Sequence, residues 1–436
     1  VKAYNVFYFE GCEFDEQARE ARFRYSYDHE LKFTHRVNFD FPFLGGHSRE
    51  ALDRVLRGLW LMAGVSYYKA ALPPEIVVEG AKLSAGEAKF FSETYRLGLG
   101  QLLYENQLSL TRVVRFKSET DGGNPVRGLP GGGDLVALGG GKDSLVTTTI
   151  LESAGKEFGT FSATYSSVAG KALGELGGLV GRPYLAMRRT FDPQLLKLNA
   201  DGAYNGHVPV TAELMLVGLA AAVLTGRRRV IFSNESSAGE GNVKYEGVQI
   251  NHQYSKSPEF ERAFRTYLHM EISPELDCFS LLRPLGDLRI AQLFARGPLE
   301  RYWGHFTSCN RSFRHGSSGF TWCGECPKCA FVFLILAPFV EKGRLESIWG
   351  ENLLAKPLLE PTYRELLGLE GHKPFECVGE IEECRQAVRM IAGKYPEAKR
   401  FGVPPGEYDW RRMHQEHMPE QYQEILRNYL AQASVS

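Results

Sequence analysis

The chain has 436 residues, enough for two or three domains and a large core. Lys and Arg total 51 against 52 Asp and Glu, and apolar residues make up 43%, which argues against a broad nucleic-acid surface or a disordered chain. The longest apolar runs, 214–224 and 330–340, are too short to span a bilayer, and no basic start leads into an apolar stretch, so a cytoplasmic enzyme is expected.

Residues 1–45 alternate aromatic and polar positions, among them Phe23, Tyr25, Tyr27, Phe33, Val37 and Phe39, a period that predicts antiparallel strands. Two helices are expected to follow, over 49–63 and 85–105. Ser84 with Glu87 three residues on makes a capping box for the second. An α+β domain over 1–120 is the expectation. The stretch 121–133, rich in Gly and Pro and without periodicity, reads as a linker or a mobile flap.

From 134 onward strands and helices alternate, which predicts a doubly wound parallel sheet over 134–300. Asp134–Leu138 reads as its first buried strand, and 143–154 as the helix after it. Between them lies Gly139-Gly140-Gly141-Lys142-Asp143-Ser144. Glycines let a backbone approach a ligand closely, and a helix N-terminus offers free N–H groups to an anion. Neither a Walker loop nor a dinucleotide fingerprint fits, because Asp143 stands where a Walker loop needs Ser or Thr. The run resembles the PP-loop of the ATP pyrophosphatase superfamily, whose members split ATP into AMP and pyrophosphate. That resemblance implies that Gly139 to Ser144 grip pyrophosphate, that Lys142 neutralises charge, and that Asp143 binds Mg²⁺.

Two polar loops should emerge at the same, carboxyl-terminal edge of the sheet. One is Asn205–Pro209 with His207. The other runs from Ser233-Asn234-Glu235 to Ser257 and holds Lys244, His252, Tyr254 and Lys256. His207 and His252 are candidate acid–base groups, with Tyr254 or a water as a second proton donor. Ser233, Asn234 and Glu235 are candidates for nucleotide contacts. Lys244, Lys256, Arg311 and Arg314 are candidates for anionic parts of a substrate.

Cys309, Cys323, Cys326 and Cys329 are spaced C-x13-C-x2-C-x2-C, which supplies four thiolates for a closed, structural zinc site in the segment 301–341. Residues 342–436 read as helices with charged faces.

Five separated blocks carry a wider resemblance: 138–146, 205–211, 233–257, 304–313 and 322–334. Together they are similar to the UDP-N-acetylmuramoyl-L-alanyl-L-glutamate epimerase family of bacterial cell-wall synthesis. The resemblance implies that a UDP-muramoyl-dipeptide is the substrate, that ATP, Mg²⁺ and structural Zn²⁺ are the cofactors, and that no nucleic acid or membrane partner is involved. Two other readings use the same features. A synthetase similar to 7-cyano-7-deazaguanine synthase also pairs a PP-loop with four cysteines, and a zinc-stabilised nucleotide-binding module would bind without turnover. Cys377 is the one thiol that would suit a thiolating enzyme instead.

Overall fold

The computed structural model describes residues 3–313, 319–415 and 417–435. Among these, eleven strands form: β1 (Val6–Asp15), β2 (Glu20–Tyr27), β3 (Leu31–Phe39), β4 (Glu75–Val78), β5 (Asp134–Ala137), β6 (Phe158–Thr164), β7 (Tyr184–Thr190), β8 (Arg229–Phe232), β9 (Val243–Tyr245), β10 (Val248–Ile250) and β11 (Asp277–Ser280). Nine of them make one sheet in the order β11-β8-β5-β6-β7-β3-β2-β1-β4, while β9 and β10 pair apart as a hairpin.

β5, β6, β7, β8 and β11 run parallel. Both faces of this half are covered, as a parallel sheet requires. Leu135 and Val230 point into one core, and their neighbours Val136 and Ile231 into the other. The strand order reverses between β5 and β8, because the chain leaves β5 toward β6 and β7 and returns on the other side with β8. Open α/β sheets place ligands at such a reversal, outside the carboxyl ends of the strands.

The N-terminal strands extend this same sheet. Arg36–Phe39 of β3 lie antiparallel to Met187–Thr190 of β7. The expected alternation is present: Ala21, Phe23, Tyr25 and Tyr27 are all buried on one face. The buried Tyr25 hydroxyl donates to the Trp60 carbonyl at 2.8 Å, which satisfies its polar end. The helix expected over 85–105 breaks at Leu99 into Ala85–Gly98 and Gly100–Glu105. Gly98 packs so tightly on Pro209 that a Cβ there would meet its ring at 2.6 Å. The capping box is complete, with Ser84 and Glu87 each accepting the other's backbone N–H at 3.0 Å.

The stretch 121–133 neither divides two sheets nor covers the reversal. It is a strap pinned to the opposite end of the strands: Val126 N–H donates to the Ile272 carbonyl at 2.8 Å, and Gly132 N–H to that of Gly226 at 2.8 Å. Beyond 330, helices dominate, including Pro327–Leu336, Ile381–Ile391 and Glu420–Val435. No helix among the described residues is long and apolar enough to cross a membrane.

Candidate active site

A cavity of about 380 Å³ opens at the strand reversal, a size typical of small-molecule sites. Gly139, Gly141, Asp143 and Ser144 line one wall, and Ser233, Asn234 and Glu235, which follow β8, line another. The helix Lys142–Ser153 begins at Gly141 with no side chain capping it, so its first N–H groups remain free for a ligand. Gly140 holds φ at +81°, and a Cβ there would come within 2.7 Å of the Phe320 ring and 3.2 Å of the Thr307 carbonyl. This turn requires glycine. Thr307 N–H donates to the Gly140 carbonyl at 2.9 Å and fixes the loop from behind.

The turn after β8 is equally well built. Asn234 Nδ2 donates to Ser280 Oγ at 3.0 Å, Ser280 donates to Glu261 at 2.6 Å, and Arg283 joins Glu261 at 2.7 Å while donating to the Glu235 carbonyl at 2.6 Å. Glu235 lines the cavity with 8% exposure, near the ammonium groups of Lys256 and Lys142. Burial, with the negative charges of Asp287 and Asp143 nearby, pushes its pKa up to about 7. A buried carboxylate on a cavity wall is suited to a cation or a proton.

Lys142 does not face the cavity. Its ammonium is buried between Asp143 and Asp287, 2.6 Å from the latter. Burial alone would lower its pKa, but these two carboxylates hold it well above the usual lysine value. The residue expected to neutralise a ligand's charge is thus not among those that line the cavity. Asp287 also accepts from Ser237 Oγ at 2.8 Å.

The histidines sit together but neither is among the residues lining the cavity. Their rings lie 4.1 Å apart, and His252 Nδ1 is 2.6 Å from Gln101 Oε1. Burial, with the ammonium groups of Lys256, Lys373 and Lys328, pushes His252 down to about 3. His207 is held well below its ordinary value by burial and then by His252 and Lys256. Both rings are neutral at physiological pH and weakly basic. Tyr254 is buried against Phe260, with ring centres 5.6 Å apart, and burial raises its phenol. Lys244 lies exposed on β9, away from the cavity. Arg311 is committed to Glu325 at 2.6 Å on the surface. Arg314 lies outside the described residues. Of the four substrate candidates, Lys256 alone is seen to reach the cavity wall.

The sulfurs of Cys309, Cys323, Cys326 and Cys329 all lie within 4.8 Å of one another. Two of the gaps are 3.9 Å (Cys309–Cys326) and 3.7 Å (Cys323–Cys329). Four thiolates about 2.3 Å from a tetrahedral zinc would be about 3.8 Å apart, so the set fits that ion closely. The cluster also bears on the cavity, because Ser308 beside Cys309 and Lys328 beside Cys329 both line it.

Lys328 and Cys377 line the cavity and Asp287 pairs with Lys142, and none of the three was singled out for the site from sequence. Cys377 Sγ accepts from Lys256 Nζ at 3.1 Å, and Lys328 Nζ donates to the Cys377 carbonyl. Only tertiary structure brings them in, since Cys377 follows the last strand by nearly a hundred residues.

Residues 1–281 match the family model described as the MurL N-terminal domain, and residues 305–403 match that of the MurL C-terminal domain. The chain belongs to the MurL family. Its relatives within that family include the UDP-N-acetyl-α-D-muramoyl-L-alanyl-L-glutamate epimerase of Xanthomonas oryzae pv. oryzae, 41% identical and covering 89% of this chain and 86% of the relative. The epimerase of the same name from Salinispora tropica is 40% identical over 90% of this chain and 86% of its own. That of a Micromonospora species is 41% identical over 90% and 88%. The MurL models divide the chain between 281 and 305, after the last strand, so the nine-stranded sheet falls within the first of the two.

Proposed function

We propose that this chain epimerises the terminal L-glutamate of UDP-MurNAc-L-Ala-L-Glu to D-glutamate in peptidoglycan precursor synthesis, and consumes ATP to AMP and pyrophosphate in doing so. The substrate reading rests on relatives at about 40% identity along nearly the whole chain. The ATP reading rests on one observation, the cavity whose wall is the uncapped helix start beside Gly139 to Ser144.

The chemistry accounts for the need for nucleotide. A Cα–H bond beside an ionised carboxylate is very weakly acidic, because its loss would build a second negative charge. Attack of the glutamyl α-carboxylate on the α-phosphorus of ATP forms an acyl adenylate and releases pyrophosphate. The carboxylate charge is removed and the carbonyl becomes an electron sink. Lowering the Cα pKa by about ten units is worth on the order of 14 kcal/mol. Inversion at Cα followed by hydrolysis gives the D-epimer and AMP. Because the glutamate is N-acylated, an oxazolone is an alternative activated form.

In this scheme the N–H groups of 139–144 and the Ser144 hydroxyl bind phosphate oxygens. Asp143 and Glu235, both carboxylates on the cavity wall, would hold Mg²⁺, which supplies charge neutralisation at the phosphates. Zinc in the four-cysteine cluster would be structural, since four sulfurs leave no open position. The test is AMP release from α-labelled ATP. AMP that appears only when the muramoyl dipeptide is added supports the reading. AMP formation driven by ammonium ion would replace it with a synthetase.

A further inference from the structure

We propose that the thiolate of Cys377, paired with the Lys256 ammonium on the cavity wall, carries the glutamyl Cα proton on one face of the substrate. The proposal rests on the epimerase reading above and names a group that performs its central step.

Four observations converge on this thiol. Cys377 lines the same cavity as Gly139, Asp143 and Glu235, and the residue is partly exposed. Lys256 Nζ, 3.1 Å from the sulfur, supplies a positive charge that stabilises the thiolate. The segment that bears Cys377 is tied down on both sides: Lys373 Nζ reaches Glu240 at 2.9 Å, Asn242 Nδ2 donates to the Pro374 carbonyl at 2.7 Å, and Gln253 Nε2 donates to that of Val378 at 3.1 Å. Lys328 holds the Cys377 carbonyl itself. The buried Glu235 carboxylate on the same cavity independently marks the wall as one that meets a charged ligand.

Burial raises the Cys377 thiol, but the Lys256 and Lys328 ammonium groups outweigh it and hold the thiol below its ordinary value. The pair offers the cavity a thiolate, whereas the His252 ring is pushed down to about 3 and is not among the residues that line it. In the step itself the Cα–H bond breaks, an S–H bond forms, and the electron pair moves into the adenylate carbonyl. A water on the opposite face delivers a proton to Cα and completes inversion, and the thiol proton returns to solvent and neutralises the hydroxide left behind. In the reverse sense the same thiol delivers the proton. No oxidant or reductant is consumed.

The experiment uses full-length Cys377→Ser and Cys377→Ala variants with Mg·ATP and UDP-MurNAc-L-Ala-L-Glu in heavy water, and reads AMP release separately from deuterium entry at Cα. The expected result is that both variants still form AMP while deuterium entry and inversion fall at least about 100-fold. Ser, similar in shape but a much weaker acid, does not rescue, which separates proton transfer from packing. Exchange within about threefold of wild type in either variant overturns the assignment. So does loss of AMP formation in both variants, which would place the thiol in nucleotide binding. Failure of the underlying reading looks different: the wild-type enzyme would then form no AMP at all.

Discussion

The Lys142 ammonium lies 2.6 Å from the Asp287 carboxylate, 145 positions away in the chain, and both groups are almost fully buried. This pair anchors the first turn of the helix behind the glycine loop to the start of the helix Asp287–Arg296. Removing Asp287 leaves the buried Lys142 ammonium to Asp143, a loss of up to the about 3–5 kcal/mol of breaking a buried ion pair. Asp287→Ala should therefore lower the urea midpoint by a corresponding amount. A midpoint equal to that of the wild type would show that the pair carries no such burden.

Gly140 and Gly139 should respond differently to an added methyl group. At Gly140 the φ of +81° and the Phe320 ring 2.7 Å from a Cβ both oppose alanine, whereas at Gly139 nothing lies within 4 Å. A side chain forced into the left-handed region costs roughly 1–2 kcal/mol before the clash is counted. Gly140→Ala should melt several degrees below the wild type and Gly139→Ala close to it. Equal melting of the two would refute the packing of the loop on Phe320.

Glu383 offers a test in pH. Burial, then Asp287, pushes its pKa from 4.5 up to about 8, and its Oε1 accepts the Leu288 N–H at 3.0 Å. A carboxyl raised in the folded state holds its proton more tightly there than when unfolded. Its contribution is thus fully favourable below 4.5 and is lost as pH rises toward 8. Glu383→Gln keeps the acceptor and removes the titration. The stability of the variant relative to wild type should grow across that window, as followed by thermal melts at several pH values. A constant difference would mean that Glu383 does not titrate there.

Metal removal should reach the cavity as well as the cysteines. A structural zinc site contributes on the order of 10 kcal/mol to local folding, and the segment that holds Cys309 also fixes the glycine loop through Thr307 N–H to Gly140 at 2.9 Å. Chelated protein should lose zinc, titrate four additional thiols, and bind ATP at least about tenfold more weakly by calorimetry. Unchanged affinity in zinc-free protein would uncouple the two.

Legibility in the sequence followed the range of the interactions. The parallel strands, the capping box and the four cysteines rest on local periodicity or short spacing, and each is present in the structure. The union of β3 with β7 was not legible, because antiparallel pairing across 150 positions leaves no local signature. The strap 121–133 read as a linker because its hydrogen bonds go to distant carbonyls and carboxylates, not to its own residues. At the site, Gly139, Gly141, Asp143, Ser144 and Glu235 stand on the cavity wall, whereas His207 and His252 drew notice as loop histidines and are not among the residues that line it. Cys377 drew notice only as a thiol that would suit a thiolating enzyme, and only the folded chain sets it beside Lys256.

ATP-dependent inversion is tested most directly by one incubation of the protein with Mg·ATP and UDP-MurNAc-L-Ala-L-Glu in heavy water, with chiral analysis of the glutamate and nucleotide counts from the same tube. The expected result is D-glutamate with deuterium at Cα and at least one AMP for each inversion. Inversion that proceeds without any adenine nucleotide would contradict it.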